Sequence, residues 1–373
     1  MSALHVQSPE EPIQWTEYGI PIRNLWHMLL YAWNERPLKV QWAMQDVESA
    51  PTLDALLASI LAKLMQQRLR IGLGHSYMNE EGTLRGIRGR IDFAESLKRH
   101  TFDRDQAYCE FQQYSANSLQ NQIIRTTLAR LIQIGQFGPE AGMANELRHR
   151  LRRLTRSLDG IDMIELTPDL INRQQAHSVR NDNDYRLMLA VCELILQRQM
   201  PLESTGGSTV PGVDRDVLVL HHIYERFIAN FYRLHLAGWN IIAQQRLDWH
   251  ARETNSHLPH MIPDLVLEEP SSKQLMIIDT KFTAHSLVQN QSGKPILDSS
   301  HMYQLYAYLR SQEHLSEPHR RASGILLYPA IHDQFSERIE LQDHLMRIES
   351  VDLAAPWQAI EQQLLDLILN IPR

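Results

Sequence analysis

The stretch MIPDLVLEEPSSKQLMIIDTKF, residues 261–282, constrains the fold of this chain more than any other. Two apolar runs, around 264–267 and 275–282, flank the polar segment EEPSSK, which contains the proline and serines typical of a tight turn. This pattern predicts a β-hairpin whose turn is centred near residues 271 and 272.

Two acidic residues occupy matching positions in this hairpin. Asp264 and Asp279 lie equally far from the centre of the turn, so they should face each other across the two strands. Paired residues on adjacent strands have Cβ atoms roughly 5 Å apart and share a face of the sheet. Lys281 follows Asp279 by two residues and therefore projects from that same face. We expect two carboxylates and one ammonium group to meet at one point.

This arrangement suits a divalent metal. Two carboxylates so close together repel each other, and one is driven toward protonation unless a positive charge lies between them. Carboxylate oxygens with open water positions suit Mg²⁺, which can activate water while Lys281 stabilises developing negative charge on a phosphate. Asp264 and Asp279 are therefore candidate Mg²⁺ ligands for phosphodiester hydrolysis. Alternatively, either aspartate is a turn residue or half of an exposed ion pair.

Two further segments carry candidate supporting residues. Residues 301–309 have a helical pattern that places Gln304 and Tyr308 on one face, where they could orient metal ligands or bind a phosphate. Alternatively, the aromatic and leucine residues of this helix pack in the core and Gln304 merely satisfies a core polar group. Glu225, beside the apolar stripe of an earlier helix, is either a third acidic ligand or a rim carboxylate paired with Arg226.

The rest of the chain indicates two domains of mixed α/β structure. A segment rich in Pro, Gly and Ser at 201–216 is the predicted linker between residues 1–200 and 217–373. The second part alternates helices with strands, including one at 324–328, which is typical of an α/β sheet covered by helices. In the first part, short strands and turns are expected around Gly82, Gly86 and Gly89. Helices are predicted at 24–33, 53–69, 119–133, 146–156, 185–197, 217–237, 300–310 and 356–369.

The helix at 146–156 has a strongly basic face. Arg148, Arg152 and Arg156 follow one another at intervals of four residues, so their guanidinium groups should lie along one side. This face is either solvated or a weak candidate surface for binding DNA or a partner protein.

Composition excludes several classes of protein. A formal net charge of −7 argues against a protein that coats nucleic acid over its whole surface, so any DNA contact must be local. Cys109 and Cys192 are too few for a disulfide framework and are expected to be buried thiols in a reducing cytoplasm. The polar N-terminus lacks the features of a signal peptide, and no apolar run approaches the ~20 residues that span a bilayer. We expect a cytoplasmic protein with no membrane contact.

The sequence also lacks a phosphate-binding loop of the form G-x-x-x-x-G-K-[ST]. We therefore expect that this chain binds no nucleotide itself.

At these residues the sequence resembles the McrC family, the nuclease subunit of McrBC-type modification-dependent restriction systems. The likeness runs along nearly the whole chain, and several short stretches occur in the same order. They are PIRNLWHMLLYAW at 21–33, GIRGRIDF at 86–93, SLQNQIIRTTLARL at 118–131, YERFIANFYR at 224–233, PDLVL at 263–267, IIDTKF at 277–282 and MYQLYAYL at 302–309.

The resemblance implies a restriction-endonuclease-like domain of the PD-(D/E)XK type at 217–373. On that pattern Asp264 is the acid of the PD motif, Asp279 takes the D/E position and Lys281 is the lysine. Gln304 and Tyr308 look like the QxxxY helix of related nucleases. Glu225 matches less securely, because the acidic helix position varies among such folds.

The family also implies a partner, a hexameric AAA+ GTPase similar to McrB. Residues 1–200 would dock on this partner and stimulate it, the partner would recognise methylated double-stranded DNA, and GTP-driven translocation would precede cleavage. The expected function is thus a Mg²⁺-dependent type IV endonuclease subunit directed at modified cytosine. The alternatives are a non-catalytic activator of the motor and a free-standing RecB-like nuclease that cuts without GTP or partner.

Overall fold

The computed structural model describes residues 19–33, 50–177, 183–199, 215–250, 257–282, 287–289, 295–330 and 334–370. The described residues form two compact units. The first unit draws on Met1–Leu53 and Leu202–Arg373, and the second on Asp54–Pro201.

A six-stranded mixed sheet forms the centre of the first unit, with the strand order β10-β11-β9-β6-β5-β4. The inner strands β6, β9 and β11 run parallel, whereas β4, β5 and β10 are antiparallel to their neighbours. The strands are β4 (Asn240–Ala243), β5 (Leu265–Glu269), β6 (Gln274–Thr280), β9 (Ser323–Ala330), β10 (Ser336–Leu341) and β11 (His344–Asp352). A separate ribbon pairs β7 (Leu287–Gln289) with β8 (Pro295–Leu297).

One face of this sheet is covered by helix α9 (Ser299–Gln312), which begins after Asp298, whose carboxylate accepts a hydrogen bond from Ser300 N. Leu305 and Leu309 of α9 pack on sheet residues such as Ile277. Nearly every residue of β6 and β9 is buried, as expected of strands that are covered on both faces.

The opposite face carries α1 (Ile22–Ala32), α8 (Arg215–His235) and α11 (Trp357–Leu369). Arg347 points to this side, because it alternates with residues that face α9, and it donates a hydrogen bond to Leu367 O of α11. Tyr31 of α1 packs on Phe227 and Trp357, so the three helices share one aromatic core. The short α10 (Glu317–Arg320) precedes β9.

This packing places the N-terminal helix in the first unit. Asn24 is fully buried, and its amide donates to Leu353 O and Ala355 O, both at 2.8 Å. The division of the chain therefore differs from the predicted domains 1–200 and 217–373. The predicted linker at 201–216 lies outside the described residues apart from Arg215 and Asp216, which begin α8.

The second unit combines a three-stranded antiparallel sheet, in the order β1-β3-β2, with a layer of helices. Its strands are β1 (Ser76–Leu84), β2 (Arg90–Ile91) and β3 (Ala107–Ser115). Its helices are α2 (Leu53–Ile71), α3 (Phe93–Lys98), α4 (Leu119–Ile134), α5 (Ala141–Ser157), α6 (Pro168–His177) and α7 (Asn183–Gln199), with a 3-10 turn at Phe102–Arg104.

Glycine positions in this unit agree with the short strands and turns predicted around them. Gly86 and Gly89 lie between strands with φ angles of 96° and 70°, as expected of turns, and Gly82 lies inside β1 opposite Cys109. Gly82 is therefore a residue of one of the predicted strands. Cys109 and Cys192 are both buried free thiols, as predicted. Among the described helices, none is long and apolar enough to cross a membrane.

Candidate active site

The predicted hairpin is present with the predicted register. Leu265 of β5 pairs with Ile278 of β6, and Glu269 pairs with Gln274 across the turn at 270–273. Continuing this register by one residue places Asp264, just before β5, beside Asp279. The symmetry about the turn that predicted this pairing is thus the register of the hairpin.

Asp264 is half-buried and firmly oriented. Its Oδ2 accepts hydrogen bonds from Thr280 N at 2.7 Å and from Thr280 Oγ1 at 2.6 Å. Because both donors belong to the residue after Asp279, the Asp264 carboxylate is tied directly to the end of β6.

Asp279 is the most strongly perturbed acid of this cluster. Its side chain is almost fully buried, and that burial raises the pKa of the carboxyl above its ordinary value. The negative charge of Asp264 raises it further, whereas Lys281 acts in the opposite direction. Lys281 Nζ lies 2.6 Å from Asp279 Oδ2, and only 15% of the lysine side chain is exposed. Without a nearby cation, two carboxylates in this position could not both stay ionised.

Helix α9 fixes the lysine from the other side. Lys281 Nζ donates to Gln304 Oε1 at 2.8 Å, and Gln304 Nε2 donates to Tyr308 OH at 2.6 Å. Tyr308 OH in turn donates to Ile262 O at 3.3 Å, beside the hairpin. Gly324 of β9 allows α9 to come this close, because a Cβ atom there would lie 2.9 Å from the Leu305 side chain.

Glu225 on α8 also lies near Asp264. Gln244 Nε2 donates to Glu225 Oε1 at 2.7 Å, and burial, followed by the charge of Asp264, raises the pKa of Glu225. The structure therefore brings together all the predicted residues of this cluster: Asp264, Asp279, Lys281, Gln304, Tyr308 and Glu225.

Three neighbours of the cluster were not predicted from the sequence. Thr280 orients Asp264, Gln244 binds Glu225, and His221 Nε2 lies 3.4 Å from Thr280 O. Only His221 has a local signal, because it precedes Glu225 by four residues on an amphipathic helix and therefore shares its face.

Asp264 and Asp279 are oxygen donors of the kind that Mg²⁺ prefers. In the part of the chain that the structure describes, no three His, Cys, Asp or Glu residues are grouped as a metal cage. Two carboxylates alone leave the remaining positions to water and phosphate, which is how Mg²⁺ is commonly bound. Asp264 and Asp279 are therefore the residues that would hold such a cation, beside the ammonium group of Lys281.

The predicted basic face of α5 is only partly available. Arg148 donates to Gly135 O at 3.1 Å, and its guanidinium lies over the Phe137 ring. Arg152 and Arg156 are exposed. Arg148 therefore stabilises the packing of the second unit, and the exposed face is smaller than the sequence spacing indicated.

Comparison with known proteins places the chain in a family. Residues 10–329 match the family model described as "McrBC 5-methylcytosine restriction system component". The chain belongs to this McrBC family.

Two relatives illustrate the match to McrBC proteins. The chain is 27% identical over 352 residues to the Escherichia coli K12 protein "Type IV methyl-directed restriction enzyme EcoKMcrBC", covering 93% of this chain and 97% of that protein. It also resembles a solved assembly of Thermococcus gammatolerans McrB AAA+ hexamers with bound McrC, with a TM-score of 0.50 and 15% identity over 93% of this chain and 76% of the other. The mixed α/β fold is therefore shared with a McrBC structure.

Proposed function

We propose that this McrBC component is the DNA-cleaving subunit of its restriction complex and hydrolyses phosphodiester bonds with Mg²⁺. The observation that supports this most directly is the meeting of Asp264, Asp279 and Lys281 at the end of β6, where Lys281 Nζ lies 2.6 Å from Asp279 Oδ2. The order and spacing of these residues agree with a PD-(D/E)XK nuclease site.

Asp264 and Asp279 would hold the metal ion through carboxylate oxygens. When bound, Mg²⁺ supplies a water of lowered pKa and shields the charge of the phosphate. Thr280 keeps the Asp264 carboxylate in a single orientation through two hydrogen bonds. The raised pKa of Asp279 means that its charged form needs a cation nearby, which explains why a buried acid here would favour metal binding.

Lys281 would stabilise the negative charge that develops on the phosphate. Its ammonium is held between Asp279 and Gln304, so it is already oriented before substrate arrives. A fixed charge of this kind favours a transition state more than a mobile one, because no reorganisation is needed during the reaction. Tyr308 keeps the Gln304 amide turned so that its oxygen faces the lysine.

We further propose that the chain works in the cytoplasm with a hexameric AAA+ GTPase and cuts double-stranded DNA carrying modified cytosine. The solved relative, which contains McrB hexamers with bound McrC, supports this partner. The second unit is the candidate docking part, replacing the predicted range 1–200. Its small sheet, the turn between β1 and β2 and the short helix α3 expose large apolar side chains, as binding surfaces often do: Tyr77, Ile87, Phe93, Leu97 and Tyr114.

The decisive test is Asp279→Ala in the purified complex with the GTPase. Methylated and unmethylated DNA would be incubated with and without GTP and Mg²⁺. We expect the variant to lose at least about a hundredfold in cleavage rate, because the metal site loses one of two carboxylates, yet still to stimulate GTP hydrolysis. Glu340→Ala, which removes an exposed acid on edge strand β10, should cut like the parent.

Other outcomes identify the alternatives. Unchanged cleavage by Asp279→Ala would reject this site. A parent complex that stimulates GTP hydrolysis but never cuts would be a non-catalytic activator. Cleavage by the chain alone, without GTP or partner, would indicate a free-standing nuclease.

A further inference from the structure

A second concave site lies beside the candidate active site on the same face of the sheet. It is a cavity of about 290 Å³, here called the ring pocket, whose rim carries the rings of Trp249, His250, His314 and His319. Its floor is formed by Val266, Leu275 and Ile277.

The floor residues connect the ring pocket to the acidic cluster. Ile277 precedes Asp279 by two residues on β6, and Val266 follows Asp264 by two, so all four side chains share one face of the sheet. Helix α9 runs along both sites, since Gln304 binds Lys281 and Gln312 lines the ring pocket. Eight residues of helix separate these glutamines, so the parts of α9 that contact the two sites lie about 12 Å apart along the helix axis.

The rings of the pocket are held in place. Trp249 is 38% exposed, yet its Nε1 donates to Pro259 O at 2.6 Å. His314 Nδ1 lies 3.0 Å from Ser311 O, and His319 Nδ1 lies 2.7 Å from Ser316 Oγ. His250 packs against His314 with the ring centroids 4.0 Å apart and the ring planes inclined by 30°. Rings fixed at one edge with a face left open lose little freedom when a flat ligand stacks on them.

The chemistry of the ring pocket suits a nucleobase better than a phosphate. Its floor is apolar and its rim aromatic, whereas its single arginine, Arg246, is paired with Asp248 at 3.5 Å. Stacking on aromatic rings is the usual way in which proteins bind unpaired bases, and it works for every base because each has a π-face.

We propose that the ring pocket binds one unstacked base of the DNA strand that is being cleaved; this rests on the proposed nuclease function. Along one strand the nucleotides are spaced by about 3.4 Å, so the 12 Å along α9 corresponds to about three or four nucleotides. The strand would lie along α9, with its scissile phosphate at Lys281 and the bound base at Trp249.

The test measures DNA binding by the full chain carrying Asp279→Ala, which prevents cleavage during the assay. The probes are a single-stranded oligonucleotide containing 2-aminopurine and the same oligonucleotide with an abasic site at that position. We expect Trp249→Ala to weaken binding of the 2-aminopurine probe about tenfold and to abolish its fluorescence change, as loss of one base–ring stack implies. Trp249→Phe should restore most of both signals.

Two comparisons make the result specific. Binding of the abasic probe should already be about tenfold weaker and should not fall further with Trp249→Ala. Leu369→Ala, an exposed apolar residue of α11 on the other side of the sheet, should bind both probes like the parent. Equal losses for both probes would instead reflect a general change in the protein and would overturn the proposal.

The binding and cleavage assays distinguish failure of the ring-pocket proposal from failure of the nuclease proposal. A chain that cuts DNA but binds 2-aminopurine equally well with Trp249 or alanine has no base pocket there. The proposal is equally overturned if Trp249→Ala lowers only the association with the GTPase, since the surface would then be a protein contact. A chain that never cuts, yet shows base-dependent binding through Trp249, keeps the pocket and loses the nuclease assignment.

Discussion

At the scale of single residues, the position of Lys281 is set by two groups with different roles. Asp279 supplies the opposite charge, but a carboxylate attracts an ammonium from any direction. Gln304 adds direction, because its amide oxygen accepts a hydrogen bond at 2.8 Å and its amide nitrogen is committed to Tyr308. Removing Gln304 should therefore preserve the ionic attraction between Lys281 and Asp279 but lose the fixed orientation of the Lys281 ammonium group.

We predict that Gln304→Ala lowers the rate of DNA cleavage by the complex about ten- to a hundredfold, because a misplacement of about 1 Å can cost that much. The free energy of unfolding should fall by about 1–3 kcal/mol, since two hydrogen bonds of a half-buried side chain are lost. Tyr303→Ala, the neighbouring α9 residue that is 72% exposed, is the matched control. Equal cleavage by both variants and the parent would show that Asp279 alone positions the lysine.

The sequence predicted the residues of this cluster where they follow a local period. Asp264 and Asp279 came from the symmetry of a hairpin about its turn, Lys281 from the two-residue alternation of a strand, and Gln304 with Tyr308 from the four-residue spacing of a helix. Thr280 and Gln244 contribute through hydrogen bonds to residues sixteen and nineteen positions away, which no local period encodes.

At the scale of elements, the glycine-rich segment of the second unit shows which turns a sequence pattern predicts and which it cannot distinguish from strands. Gly82, Gly86 and Gly89 look alike in the sequence, but only Gly86 and Gly89 have positive φ angles. Gly82 is placed in a strand by its pairing with Cys109, a residue far along the chain. Composition marks glycines as possible turns, and tertiary pairing decides which of them are turns.

Gly89 and Gly82 therefore make an informative pair of substitutions. Gly89→Ala should lower the free energy of unfolding by at least about 1–2 kcal/mol, the cost of a left-handed conformation with a side chain. The added Cβ would also lie 2.3 Å from Glu110 O, so backbone must move. Gly82→Ala meets no atom within 4 Å and should leave stability unchanged or slightly raised. Urea unfolding distinguishes them; equal midpoints would contradict the assigned turn.

At the scale of the whole molecule, the division into units depends on contacts that sequence proximity hides. The apolar stretch around α1 was predicted to be a buried helix, which is confirmed, but its partners are α8 and α11. Asn24 bonds to carbonyls more than 300 residues away, so composition near the N-terminus could not reveal its unit. A segment rich in Gly and Pro indicates where the sequence has no helix or strand pattern, but it does not indicate which segments pack together.

The same packing makes the first unit sensitive to acid. His27 of α1 stacks on Trp357, and burial, followed by the charge of Arg23, lowers the pKa of His27 to about 4. Burial, together with Arg226, likewise lowers the pKa of His222 on α8 to about 4. Both imidazoles are therefore neutral in the folded protein at neutral pH, and the unfolded chain binds a proton at each of them more readily.

We predict that stability falls as the pH drops from about 6.5, the ordinary histidine pKa, to about 4, because protons bind preferentially to the unfolded chain. Each such histidine contributes a slope of at most about 1.4 kcal/mol per pH unit.

His27→Phe keeps a ring beside Trp357 but removes the titration, so its unfolding midpoint should depend less steeply on pH in this window. Exposed His149, replaced in the same way, should leave the slope unaltered. Buried acids such as Asp279 act in the opposite direction in both proteins, so the difference between variant and parent isolates His27. If the stability of the parent and of His27→Phe depended on pH in the same way, the prediction would be contradicted. Protonation of the His27 imidazole would then not weaken the packing of α1.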